Sequence, residues 1–102
     1  MGSKMSKNHI EILHEYRKSI VEQFIKELVY KTKRTADELV TNGLLFTDFK
    51  YKVSFILDDG SKMSIKRAFY VRNEQEICVF TEHYGYIIFE VDNLVEIEER
   101  LI

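Results

Sequence analysis

Between residues 8 and 31 the apolar positions recur at the spacing of an amphipathic helix. At about 100° per residue, Leu13, Tyr16, Ile20 and Phe24 fall on one stripe, flanked by Ile10, Val21, Ile25 and Leu28. Glu11, Glu15, Lys18, Glu22 and Lys26 take the opposite face, and Glu22–Lys26 and Glu27–Lys31 have the favourable i,i+4 order. Asn8, three residues before Glu11, predicts the N-cap. Thr35-Ala36-Asp37-Glu38 reads as a capping box opening a second, short helix, which Asn42-Gly43 closes by supplying a left-handed residue. Either the chain breaks near Thr32–Thr35 or one helix runs on to Asn42; a break is the expectation.

From Phe49 the period changes to two. Phe49, Tyr51, Val53, Phe55 and Leu57 are expected to face a core, and after Gly60 the odd positions Met63, Ile65, Phe69 and Val71 continue it. Parity fixes the turn between them. A two-residue Asp59-Gly60 loop would set Leu57 opposite Lys62. A three-residue loop, Asp58-Asp59-Gly60, pairs Phe55 with Met63 and Val53 with Ile65 and keeps one face apolar. Gly60 then occupies the left-handed position of a type I turn with a G1 bulge. On this reading Phe24, Val53, Phe55 and Ile65 share one core joining helix and sheet.

Asn73-Glu74-Gln75 makes the next turn. A third strand follows over residues 77–83, with Ile77 and Val79 on one face and Cys78 and Phe80 on the other. Tyr84-Gly85 turns into a fourth strand, Tyr86–Val91, and Asp92-Asn93 ends it. The tail from Leu94 fits a short helix about as well as a strand; a fifth strand is the expectation.

Together these elements predict an α+β domain: a long N-terminal amphipathic helix and a short second one, packed on an antiparallel β-meander of four to five strands, as an open sheet or a small SH3-like barrel. The stretch Val53-Ser54-Phe55-Ile56-Leu57-Asp58-Asp59-Gly60 resembles the first motif of Sm-like barrels, in which a Leu-x-Asp-Gly turn joins two strands. Ile65 and Arg67 stand where those proteins have Gly and Leu, and their RNA-contacting second motif is missing. The resemblance therefore stops at this hairpin, and membership of the family is not inferred.

A chain of 102 residues at 45% hydrophobic, with seven Phe and six Tyr, is enough for one domain with its own core. Residues 8–102 form that domain; 1–7 read as a disordered N-terminal segment or a remnant ahead of a native start at Met5. No apolar run is long enough for a membrane span. One cysteine and no secretory leader predict a cytoplasmic protein. The absence of Pro and Trp beside abundant Lys, Glu and Ile suggests a bacterial or phage source. Net charge is −2 but unevenly spread: residues 1–72 carry 14 Lys and Arg against nine Asp and Glu, whereas 73–102 carry Arg100 against eight acidic residues. Such polarity suits contact with a charged partner.

Residue types that carry chemistry do not converge. His9 and His14 are five apart, which separates them by about 140° on a helix, and neither they nor His83 gives zinc-ligand spacing. Cys78 lies among apolar strand residues, where a thiolate is disfavoured. Asp58 and Asp59 are explained by the turn, and Glu96, Glu98 and Glu99 by a solvated face. No catalytic residue, metal site or cofactor is therefore predicted. One basic concentration remains, Lys26, Lys31, Lys33 and Arg34, which could contact phosphates.

The predicted helix, about 36 Å long for some 24 residues, would overhang strands of about 20–30 Å. Its uncovered apolar arc, with Arg17, Val21, Ile25 and Leu28, is then available to another chain. The sequence thus predicts a non-enzymatic protein–protein interaction module: an adaptor, inhibitor or regulatory protein, of phage or mobile-element type, assembled as a homodimer. The alternative is a nucleic-acid-binding regulator using Lys26–Arg34.

Overall fold

The computed structural model describes residues 22–102. The expected N-cap at Asn8, the apolar stripe up to Val21, and Arg17 lie outside the described residues, so the helix expected over 8–31 is described only in its last part. Glu22 and Gln23 are helical, Phe24 departs from helical geometry in a turn (φ −107°, ψ 19°), and α1 runs from Ile25 to Thr32. Its end at Thr32 agrees with the break near Thr32–Thr35 and not with one helix running on to Asn42. Lys33 adopts a left-handed conformation (φ 64°), and its N–H donates to the Val29 carbonyl at 3.0 Å. The helix α2, Ala36–Asn42, opens with the expected capping box. Glu38 N–H donates to Thr35 Oγ1 at 3.1 Å, and Thr35 N–H donates to Glu38 Oε1 at 3.3 Å. Gly43, at φ 69°, closes it. A 3-10 turn at Phe46–Asp48, not foreseen in the sequence, then leads into the sheet.

Five strands follow: β1 (Tyr51–Leu57), β2 (Lys62–Arg72), β3 (Glu76–Thr81), β4 (Gly85–Glu90) and β5 (Leu94–Leu101). All neighbours are antiparallel and the order is β4-β3-β2-β1-β5. The β1–β2 turn has the derived geometry. Val53 pairs with Ile65 and Phe55 with Met63, Gly60 N–H donates to Leu57 O and Leu57 N–H to Ser61 O, both at 2.9 Å, and Gly60 has φ 90°. Hydrogen bonds from the Ser61 hydroxyl and then from its backbone N–H hold the Asp59 carboxyl below its ordinary range. The tail is the expected fifth strand, joined to β4 by a 3-10 turn at Val91–Asn93.

The core differs from the expectation. Instead of one core there are two, on opposite faces of the sheet. Phe24 and Leu28 of α1, Leu39 of α2 and Phe49 pack on Phe69, Val71, Cys78 and Phe80. Val53, Phe55, Ala68, Ile77 and Val79 form the second, with partly buried side chains from β1, β2, β4 and β5 around them. A bulge in β2 is the reason. Two steps along β1, from Val53 to Tyr51, are matched by three along β2, from Ile65 to Ala68. The extra residue reverses the parity of everything after it. Phe69 and Val71, expected beside Ile65, therefore face the helices.

The sheet curls around the second core. β1 and β4 are three strand spacings apart in the order, about 14 Å in a flat sheet. Yet the Phe55 and Phe89 rings stack with centroids 5.1 Å apart. The edges do not pair: β4 and β5 have no ladder between them among the described residues.

Candidate interaction surface at the β2 bulge

Of the residues singled out in the sequence as contact sites, Arg17 and Val21 lie outside the described residues. Leu28 is wholly inside the first core and Ile25 is half-buried against it. The basic segment is not one patch. Arg34 donates from Nη1 to Asp48 Oδ2 at 2.7 Å and from Nη2 to the Gly43 carbonyl at 3.0 Å, both with little exposure. Asp48 Oδ2 also accepts the Leu45 N–H at 2.7 Å, so this pair locks the helix linker to the 3-10 turn. Lys31 reaches Glu99 Oε1 at 2.5 Å and lies over the Tyr51 and Tyr70 rings. The other Glu99 oxygen accepts the Tyr70 N–H at 3.0 Å, at the end of β2 beyond its last pair with β1. Lys33 covers the exposed ring of Tyr30, and Lys26 is exposed.

Cys78 is buried and packs in the first core. Glu96 and Glu98 flank a shallow, open groove of about 310 Å³ on the outer face of β2, β1 and β5, across from Lys62. Between them the Ser54 and Ser64 hydroxyls hydrogen-bond to each other at 3.1 Å. Among the described residues no group of three or more His, Cys, Asp and Glu is placed to hold a metal, and no helix is long and apolar enough to cross a membrane.

Among the described residues two non-glycines have positive φ: Lys33, which caps α1, and Arg67, which lies within a strand, at the bulge. Arg67 has φ 55°, a region that costs a residue with a Cβ about 1–2 kcal/mol. Its carbonyl accepts the Glu82 N–H at 3.1 Å, which ties the bulge to the β3–β4 turn. That backbone aims the guanidinium over the ring of Phe46, 5.7 Å from its centroid. Phe46 is 63% exposed on the 3-10 turn, far more than a Phe usually is in a monomer. On the other side Glu82 Oε1 lies 4.0 Å from Arg67 Nε and 3.0 Å from His83 Nε2. The His83 ring meets Tyr84 edge-on at 6.3 Å.

The Tyr84 turn is fixed by Thr81, whose hydroxyl accepts the Tyr84 N–H and donates to the Gly85 carbonyl, both at 3.0 Å. Tyr84 itself is 78% exposed. Three elements distant in sequence thus bring Phe46, Arg67, Glu82, His83 and Tyr84 into one continuous, largely exposed surface.

Sequence reasoning did not find this surface. The signal available was the run Ala68-Phe69-Tyr70-Val71, apolar on both parities, directly after Lys66-Arg67. Such a run marks a strand buried on both faces, where a shift of parity goes unpunished. Comparison with protein-family models, with curated proteins and with solved structures gave no match.

Proposed function

We propose that this chain is a non-enzymatic protein–protein interaction module, built on a small SH3-like barrel, whose contact surface is centred on Arg67. The observation that carries the reading is the left-handed backbone at Arg67. A non-glycine residue is kept in a costly conformation, and the outcome is an arginine displayed on an exposed phenylalanine and tied through Glu82 to the turn that carries an exposed tyrosine. Strain of this kind persists where it serves a site, and bulges commonly re-aim a side chain toward one. Arginine and aromatic residues are also the types that dominate binding energy at protein interfaces. The barrel reading is supported by the strand order, the 3-10 turn between β4 and β5, and the Phe55–Phe89 stack across the curl.

The nucleic-acid alternative draws less support from the geometry, because Lys31 and Arg34 are engaged by Glu99 and Asp48. Affinity capture of the full chain from cells that encode it tests the choice. The comparison variants are Phe46→Ala/Tyr84→Ala and Lys26→Glu/Lys33→Glu. The expected outcome is one protein recovered in fixed ratio by the parent chain and by the charge variant, and lost with the aromatic one. Recovery of nucleic acid that falls steeply with salt and is lost in the charge variant would overturn the reading.

A further inference from the structure

We propose that the Arg67 surface receives a partner-protein segment carrying a carboxylate side chain next to an apolar one; this rests on the protein–protein reading above. Among the described residues the Arg67 guanidinium makes no hydrogen bond. Its nearest carboxylate oxygen, Glu82 Oε1, is 4.0 Å from Nε, beyond hydrogen-bond length. That same oxygen is 3.0 Å from His83 Nε2, and Glu82 is largely buried. The Nη donors of the fork are left unengaged on a side chain that is 52% exposed.

Charge gives the sign of the missing group. Arg67 is exposed, and the one carboxylate brought to it among the described residues, Glu82, is shared with His83. The exposed guanidinium is thus a cation whose nearest carboxylate is not hydrogen-bonded to it. A planar guanidinium fork matches a carboxylate through two parallel hydrogen bonds, which an ammonium cannot reproduce. Phe46, under the guanidinium, and Tyr84, in the β3–β4 turn that carries Glu82, supply exposed ring area for a neighbouring side chain of the same segment. The contact with Phe46 also restricts the guanidinium, so less freedom is lost when the carboxylate docks.

Nuclear magnetic resonance titration of the isotope-labelled full chain tests this. The probes are the acetylated, amidated peptide Phe-Glu-Leu-Glu, its Phe-Gln-Leu-Gln isostere, and a short oligothymidylate. The acidic peptide is expected to give saturable shifts at the Arg67 Nε–H and at the Tyr84 and Gly85 amides. Binding should be weaker by about tenfold for the isostere, and by about tenfold for Arg67→Lys at an unchanged unfolding midpoint. Equal binding of the two peptides, a stronger response to the oligothymidylate, or no saturable shift at these positions would overturn the inference. Should Arg67→Lys leave capture of the whole partner intact while Phe46→Ala/Tyr84→Ala abolishes it, the carboxylate inference fails and the interaction surface stands.

Discussion

Replacing Arg67 by glycine and, separately, by alanine isolates the cost of the bulge conformation. Both substitutions remove the same side-chain contacts. The guanidinium–Phe46 contact at 5.7 Å is exposed and contributes about 0.5–1 kcal/mol. The Arg67–Glu82 approach of 4.0 Å, with the arginine half-exposed, adds little. What differs is the backbone. At φ 55° alanine keeps the left-handed penalty, whereas glycine does not, although glycine gives the unfolded chain more entropy. The net expectation is that Arg67→Gly is more stable than Arg67→Ala by about 1 kcal/mol, and within about 1 kcal/mol of the parent chain. In urea, with a slope of about 1–2 kcal/mol per molar for a domain of this size, the two midpoints should separate by about 0.5–1 M. Both variants should lose the partner. A chain that folds as well or better without Arg67, but no longer binds, is what stored strain at a contact site requires. If alanine equals or exceeds glycine in midpoint, Arg67 is not left-handed in solution, and the case for a strained contact residue collapses.

Other substitutions probe the frame that holds this surface. Phe55→Ala empties the centre of the second core and breaks the stack with Phe89, so unfolding free energy should fall by about 3–5 kcal/mol in denaturant titration. Gly60→Ala meets no atom within 4 Å of the new Cβ, so its cost is conformational alone, about 1 kcal/mol, and a melting temperature equal to the parent's would contradict the turn geometry. Asp48→Ala strands the Arg34 guanidinium and the Leu45 N–H, and should destabilise by about 3 kcal/mol; a change below about 1 kcal/mol would show that the pair is solvated in solution. Glu99→Gln keeps an acceptor for the Tyr70 N–H but removes the charge facing Lys31. It should therefore cost less than Glu99→Ala, by about 1 kcal/mol in the same titration.

What the sequence determined by itself is what short-range physics decides. The Thr35–Glu38 box, the positive-φ glycines Gly43 and Gly60, and the three-residue Asp58–Gly60 loop each follow from residues within a few positions of one another. Alternation of side chains was enough to pair Phe55 with Met63, because in the first half of the hairpin only one face is apolar. Beyond Ile65 that condition fails. Helices cover one face of β2 and β3 and the curled sheet covers the other, so both parities are apolar from Ala68 to Val71 and from Ile77 to Phe80. A pattern of period two then holds equally well before and after a one-residue slip. The bulge at Arg67 left no mark in it, and one expected core became two. The Arg34–Asp48 lock and the gathering of Phe46, Arg67 and Tyr84 were likewise decided only in three dimensions. Exposed or paired polar groups impose no periodicity on the chain, and their partners are chosen by where the packed elements end.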